Sequence, residues 1–110
     1  MMMSGVQATA AGGTTLNVLT GQLYERSPVS GRVRFAITGD AAGEGRITIY
    51  IGGRVILTES AISRQARPPL IPDDVLTTEL IGRGEQIVVQ HSNTGAGSNN
   101  LFWRLDFAGR

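Results

Sequence analysis

The sequence has no cysteine, no lysine and only one histidine, and each shortage removes a class of function. Without cysteine, neither a disulfide framework nor a thiolate metal site can form. Without lysine, the phosphate loop of many nucleotide-binding proteins cannot exist. Because His91 is the single histidine, a two-histidine metal site within one chain is excluded, and a catalytic triad would have only this base. We therefore expect no metal, no cofactor and no enzymatic activity.

Charged residues are also scarce, at 17% of the 110 residues, and the formal net charge is +1. A nearly neutral chain lacks the positive field on which nucleic-acid binding relies, so nucleic acid is not an expected partner. The longest uninterrupted apolar runs are three residues, far below the roughly 20 residues that a membrane span requires. We expect a soluble protein with no membrane span.

Glycine is abundant, and most of the 15 glycines lie between short apolar runs. Such spacing is typical of many short strands joined by turns. The alternation of apolar and polar residues predicts strands over 32–38, 46–51, 55–59, 75–81, 85–91 and 101–107, with weaker strands over 16–20 and 22–26. About eight strands and no helical period predict an all-β protein, a single jelly-roll-like antiparallel β-sandwich with Trp103 in its core.

Two hairpins are predicted from the turn residues. A three-residue loop at 52–54 keeps the apolar residues of the first hairpin on one face. The pairs in that register are Ile51 with Val55 and Ile49 with Leu57. The glycine-flanked turn at 82–84 predicts a second hairpin between strands 75–81 and 85–91.

Two segments of the chain, one at its N-terminus and one in its middle, lack the alternation of the predicted strands. Residues 1–15 are small and polar without a usable period, so they predict an extended N-terminal arm, followed by the sandwich domain over 16–110. Residues 60–74 contain Pro68, Pro69 and Pro72, which lack backbone donors. This segment is predicted to cross between sheets as irregular chain.

Candidate binding residues come from the polar faces of the predicted strands. Arg32, Arg34 and Arg46 would share an outward face with Tyr50 if their strands were neighbours. Arginine and aromatic residues are enriched in the centres of protein interfaces, where lysine is depleted. The predicted interface residues are Arg32, Arg34, Arg46, Tyr50, Phe102 and Arg104. Outward aromatic rings could instead stack on sugars or on bases.

Other polar positions have a structural interpretation. His91 ends an alternating face beside a serine and asparagine loop, so it is interpreted as a rim histidine bonded to backbone. Asp73 and Asp74 would bind calcium only with help from loop carbonyls, and a solvated turn is the preferred interpretation. The glycine-rich segments 82–84 and 95–97 are interpreted as turns, because neither begins a helix.

The run from Ile81 to Asn93, IGRGEQIVVQHSN, with the glycine and asparagine loop and strand 101–107 that follow it, resembles the closing half of small viral jelly-roll proteins. These are pentons, minor capsid proteins and head-decoration proteins. The resemblance in pattern covers about residues 30–108. It implies a non-enzymatic virion component that assembles through its edges and its N-terminal arm, without a cofactor.

Charge distribution also favours self-association. Residues 26–67 hold seven arginines and three acids, whereas residues 68–110 hold three arginines and five acids. Complementary surfaces of this kind favour contacts between copies. We expect a structural subunit of a virion or similar protein shell, with itself and other shell proteins as partners. The alternative is a carbohydrate- or receptor-binding module of lectin type, with a site formed by loop 92–100 and the rings of Tyr24 or Tyr50; a hydrolase is a distant third.

Overall fold

The alternating residues form β-strands in the computed structural model, which describes residues 1–39, 45–61, 63–64, 68–69, 74–95 and 99–109. The strands are β1 (Met2–Thr9), β2 (Thr14–Thr15), β3 (Gly31–Gly39), β4 (Gly45–Ile51), β5 (Arg54–Ala61), β6 (Ser63–Arg64), β7 (Val75–Ile81), β8 (Ile87–Asn93) and β9 (Asn99–Gly109). Within those ranges there is no helix, and hence none that could cross a membrane.

The strands form two sheets that pack face to face. Sheet A has the order β1-β9-β3-β7, with the short β6 pairing in parallel with the end of β3, and sheet B has the order β2-β8-β4-β5. The antiparallel pairs are nested along the chain: β1 with β9, β2 with β8, β3 with β7, and β4 with β5. Nested pairs divided between two sheets are the arrangement of an eight-stranded jelly roll. The predicted all-β sandwich is confirmed.

The core lies between the two sheets, because each strand turns its apolar residues inward. Its largest fully buried side chains include Phe35, Ile47, Ile49, Ile51, Ile87, Leu101, Trp103 and Leu105. Trp103 is only 1% exposed, which confirms its predicted place in the core. Burying one such side chain fully contributes about 1.5–3 kcal/mol relative to leaving it in water, so the inner faces supply most of the stability.

Residues 1–15 do not form a separate arm. The strand β1 pairs with β9 along its whole length, from Met2 opposite Asp106 to Thr9 opposite Asn99, and β2 pairs with β8. The sandwich therefore begins at Met2 and not at residue 16. The sequence pattern missed β1 because its inward positions include Gly5, where Trp103 leaves no room for a side chain.

The weaker strands predicted over 16–20 and 22–26 are also wrong. These residues form turns that follow the outer edge of β8. They are held there by Asn17, whose Oδ1 accepts hydrogen bonds of 3.1 Å from the backbone N–H groups of Leu19 and Val89. Backbone hydrogen bonds from Val18 to Val89 and from Ile87 to Glu25 hold the same segment, so the side-chain amide supplements a few isolated backbone bonds where no continuous strand forms.

The first hairpin has a two-residue turn, not the predicted three-residue loop. Both Gly52 and Gly53 have positive φ, 56° and 84°, as a type I′ turn requires. The pairs are Ile51 with Arg54, Tyr50 with Val55, and Ile49 with Leu57. The predicted Ile51–Val55 pair is wrong and the Ile49–Leu57 pair is correct, because an irregularity in the pairing absorbs one extra residue of β5.

The second predicted hairpin does not exist, although its strands do. The bounds of β7 match the predicted strand, and residues 83–84 form the predicted turn. The turn, however, leads from sheet A to sheet B, so β7 pairs with β3 and β8 pairs with β4. Its geometry is held by Glu85, whose Oε1 accepts a hydrogen bond of 2.6 Å from the N–H of Gly82.

The proline-rich segment 60–74 is described only in part. Its beginning is more regular than predicted, since β5 continues through Ala61 and β6 pairs with the end of β3. Pro72 and Asp73 lie outside the described residues, and so do Ala96 and Gly97 of the predicted turn at 95–97.

Candidate interaction surface

The residues predicted to share one surface lie on two opposite faces of the sandwich. Arg32 and Arg34 project outward from β3 in sheet A, whereas Arg46 and Tyr50 project outward from β4 in sheet B. The core fills the space between the two sheets. The predicted continuous patch is therefore wrong, because β3 and β4, although consecutive along the chain, belong to different sheets.

Four of the six predicted interface residues nevertheless lie on one surface, the outward-facing side of sheet A, which we call the outer A face. Directly opposed residues of antiparallel strands point to the same side, and Val6 is opposite Phe102, while Arg34 is opposite Asp106. The outer A face includes the side chains of Met2, Ser4, Val6, Ala8, Arg32, Arg34, Leu80, Phe102, Arg104 and Asp106.

The centre of the outer A face holds an ion-paired group of three residues. Oδ2 of Asp106 lies 3.4 Å from Nη2 of Arg34, and its Oδ1 lies 3.0 Å from Nε of Arg104. The carboxylate is 14% exposed, and the two arginines are 46% and 35% exposed. Pairs this exposed contribute about 0–1 kcal/mol each, so they orient the arginines more than they stabilise the fold.

Asp106 was missed by the sequence prediction. The available signal was its spacing of two residues from Arg104, which places both side chains on the same face of one strand.

The flank of the outer A face nearest β1 is apolar. Met2 is 51% exposed and Val6 is 58% exposed, and half-buried Phe102 lies opposite Val6. At the other flank, Leu80 on β7 is 64% exposed. The surface therefore combines exposed apolar side chains with partly neutralised arginines.

Depressions in the described surface are shallow and small. One between β3, β7 and β9, lined by Arg32, Thr78 and Ala108, has a volume of about 220 Å³. Another, near Val29 and Arg83, has a volume of about 300 Å³. Pockets for small ligands usually have about 300–1,000 Å³ and enclose most of the ligand. The outer A face suits a broad contact better than an enclosed small molecule.

The aromatic residues of the alternative carbohydrate site lie away from the described ends of the predicted loop 92–100. Tyr24 packs edge-on against Phe107, with ring centroids 5.6 Å apart and an interplanar angle of 74°. Tyr50 lies opposite Val88, whereas the predicted loop starts at the far end of β8, after Asn93. Five residues of strand separate these positions by roughly 16 Å, so Tyr50 and the start of the loop lie far apart.

His91 lies inside the sandwich and not on its rim. It is fully buried on β8, and its Nδ1 is 2.8 Å from Oγ1 of Thr9, which is itself 2.7 Å from Oγ1 of Thr15. Asn93 donates a hydrogen bond of 3.0 Å from Nδ2 to the carbonyl of Thr9. The predicted rim position is wrong, because the inward alternation of β8 continues through His91.

The four residues Thr9, Thr15, His91 and Asn93, which we call the polar end cluster, connect β1, β2 and β8. A base without solvent exposure cannot contact a substrate in this conformation. No group of three or more potential metal ligands occurs in the part of the chain that the structure describes. The cluster is best explained as a hydrogen-bonded brace at one end of the sandwich.

The strand order defines a jelly-roll β-sandwich, and its outer A face is exposed and partly apolar. No family model matches the sequence, and no curated protein matches it. Function is therefore inferred from the geometry of the surface.

Proposed function

We propose that this protein is a non-enzymatic structural subunit of a virion or similar protein shell, as a capsid, penton or decoration protein, and that it acts through self-association. The observation that carries this proposal is the apolar flank of the outer A face along β1. Met2 and Val6 are both more than half exposed there, and half-buried Phe102 lies opposite Val6. Extended apolar patches on a protein surface commonly mark a site of contact with another protein.

The arginines of the outer A face support the same function. Arginine is favoured at interfaces because its planar head can form ion pairs and stack on aromatic rings. Asp106 already holds Arg34 and Arg104 in place, so less side-chain freedom is lost when a second subunit contacts them. The outer A face is thus suited to binding another protein surface.

Arg46 and Tyr50 provide a second, different surface on the outer side of sheet B. Both are half-buried on β4, on the opposite side of the sandwich from Arg34. A subunit that forms rings or lattices needs two distinct surfaces that can contact other subunits. The division of the predicted interface residues between two faces is compatible with such a shell, in which other shell proteins would be further partners.

The jelly-roll arrangement is common to viral capsid proteins and to lectins, so it supports either function and decides neither. The separation of Tyr50 from the start of loop 92–100 argues against the carbohydrate-binding alternative.

The proposal is tested by the mass of the native complex. Native mass spectrometry and light scattering over a range of protein concentrations should show a defined oligomer, and electron microscopy should show whether it closes into rings or shells. A protein that stays monomeric alone and in the presence of its native particle would overturn the proposal. Binding on a glycan array by that monomer would replace it with the alternative.

A further inference from the structure

The edge strands of the two sheets differ in how well they are protected from pairing with a strand of another molecule. In the described part of the chain, β2 has only two residues, and β5 and β7 each carry a charged residue and an irregularity in their pairing. In β5 one of the irregular stretches lies between Leu57 and Ser60 and includes Glu59, which has a positive φ of 49°. Short strands, charges and irregular geometry are the usual means by which proteins prevent unwanted pairing at a sheet edge.

The outer edge of β1 has none of these features. The strand is eight residues long, its pairing with β9 is continuous, and its sequence, MMSGVQAT, contains no charged residue and no proline. No other described strand pairs with this edge. A long, regular and uncharged edge strand is a template for pairing with another strand.

The backbone groups that face the free edge can be identified. Met1 exchanges two hydrogen bonds with Phe107: its N donates to the Phe107 carbonyl at 3.0 Å, and the Phe107 N–H donates to the Met1 carbonyl at 2.7 Å. In an antiparallel pair such doubly bonded positions alternate with positions whose backbone groups point away. The groups that point to the free edge therefore belong to Met2, Ser4, Val6 and Ala8.

We propose that β1 pairs with β1 of a second copy of this chain, antiparallel and about a two-fold axis, so that two A sheets become one continuous sheet. This inference rests on the proposed function and names one of its subunit contacts. An antiparallel pair is self-complementary, because each copy presents the same donors and acceptors to the other. No side chain of β1 is charged, so the pairing brings no like side-chain charges together and offers no side-chain charge that would select a charged peptide instead.

The pairing also joins the apolar flanks of the two outer A faces. Because opposed residues point to the same side, two registers near the centre of the strand keep the exposed side chains together. In one register Val6 is opposite Val6 of the second copy, and in the other Val6 is opposite Ser4. Either register extends the apolar strip of Met2, Val6 and Phe102 across the axis.

A matched pair of valine variants tests the contact. Val6 on β1 is 58% exposed and Val55 on the edge strand β5 is 57% exposed, so the same substitution changes the surface equally at both. Val6→Lys places two positive charges beside the axis and should weaken dimer formation by at least about tenfold in analytical ultracentrifugation. Val55→Lys should leave dimer formation unchanged. Denaturation curves of both variants check that the fold is retained.

Disulfide trapping provides a second measurement that does not depend on weakening the dimer. Since the chain has no cysteine, any introduced cysteine is the only thiol. Directly opposed, doubly bonded residues have Cα atoms about 5.5 Å apart, within the range that a disulfide bridges. Val6→Cys alone, or a mixture of Val6→Cys and Ser4→Cys proteins, should give a covalent dimer that a reductant reverses. Val55→Cys should give none.

The outcomes separate this inference from the proposed function. If the wild-type protein assembles, but Val6→Lys assembles as well as Val55→Lys and no cysteine variant of β1 is trapped, the β1 contact is wrong and the subunit function stands. If the wild-type protein is monomeric under every condition, both fail. Loss of the dimer in Val6→Lys together with trapping through β1 supports both.

Discussion

Gly5 lies directly opposite Trp103 in the β1–β9 pair, and the indole ring occupies the space where a side chain at position 5 would be. A Cβ atom built on Gly5 would lie 2.7 Å from Cζ2 of the ring, closer than such atoms approach in real structures. The strand β1 can therefore pack against β9 at this point only because Gly5 has no side chain, which leaves room for the large indole ring of Trp103.

The first prediction is that Gly5→Ala destabilises the protein. The added methyl group forces either the indole ring or β1 to move, and overpacking of this kind costs about 1–3 kcal/mol. Urea denaturation followed by the fluorescence of Trp103, the only tryptophan, measures the loss. Ser4→Ala, at the neighbouring outward position, is the control and should change the free energy of unfolding by less than about 0.5 kcal/mol. Equal effects of the two variants would contradict the close contact.

The second prediction concerns Trp103 itself. Trp103→Ala removes a side chain that is only 1% exposed, and the expected cost is about 3–5 kcal/mol, since the space is only partly refilled. The same substitution removes the atoms that clash with an alanine at position 5. In a double-mutant cycle followed by circular dichroism, since no tryptophan remains, Gly5→Ala should therefore lower the free energy of unfolding much less in the Trp103→Ala background than in the wild type. Additive costs would show that the two residues do not contact each other.

The third prediction concerns the polar end cluster. Thr9→Val keeps the shape of the side chain but removes the hydroxyl that contacts both His91 and Thr15. Loss of a hydrogen-bonding group at a buried site costs about 1–3 kcal/mol. Thr14→Val is the control, because Thr14 is exposed and lies 3.3 Å from Ser92 through its hydroxyl. Thermal unfolding that responds equally to both substitutions would show that the cluster does not brace the sandwich.

The alternation of residues was sufficient to predict the strands that bury one clear face. The pattern of β9 correctly predicts Leu101, Trp103 and Leu105 in the core, because every inward position of this stretch has a large apolar side chain. The same rule fails for β1, where Gly5 is an inward residue without a side chain. It also fails near Asn17, where its side-chain amide and isolated backbone hydrogen bonds hold a chain of turns against β8, so that no alternating period is needed.

The interface could be predicted only in part, for a different physical reason. The pattern shows correctly that Arg32 and Arg34 point outward, because the side to which a side chain points follows from the alternation within its own strand. Whether Arg46 lies beside them depends on which strands pair, and pairing is decided by contacts between residues far apart in sequence. The same limit explains the wrong second hairpin, since nothing within 75–91 indicates that the turn changes sheets.

The fourth prediction concerns the charge of Asp106, first in its effect on the free energy of unfolding. Asp106→Asn keeps the size of the side chain and removes its charge, so both ion pairs with Arg34 and Arg104 are lost. Because both arginines are substantially exposed, the cost should be small, about 1 kcal/mol or less by urea denaturation. A loss of several kcal/mol would instead show that the carboxylate supports the fold.

The second part concerns assembly, where the same substitution should have a larger effect at low salt. When the β1 strands pair across the axis, the strand order is β9, β1, β1 and β9, so the two β9 strands are three strand spacings apart, about 14 Å. In the variant, each β9 carries Arg104 without the balancing charge of Asp106. Repulsion over this distance is screened at physiological salt, where the Debye length is about 8 Å, but not at 0.01 M, where it is about 30 Å. Sedimentation should therefore show that Asp106→Asn weakens the dimer at low salt and that added salt restores it. The double variant Arg104→Gln with Asp106→Asn also loses both ion pairs, but it removes the unbalanced arginine of β9 and keeps the net charge of the wild type, so it should resemble the wild type. A single variant that is insensitive to salt would contradict the predicted proximity of the two faces.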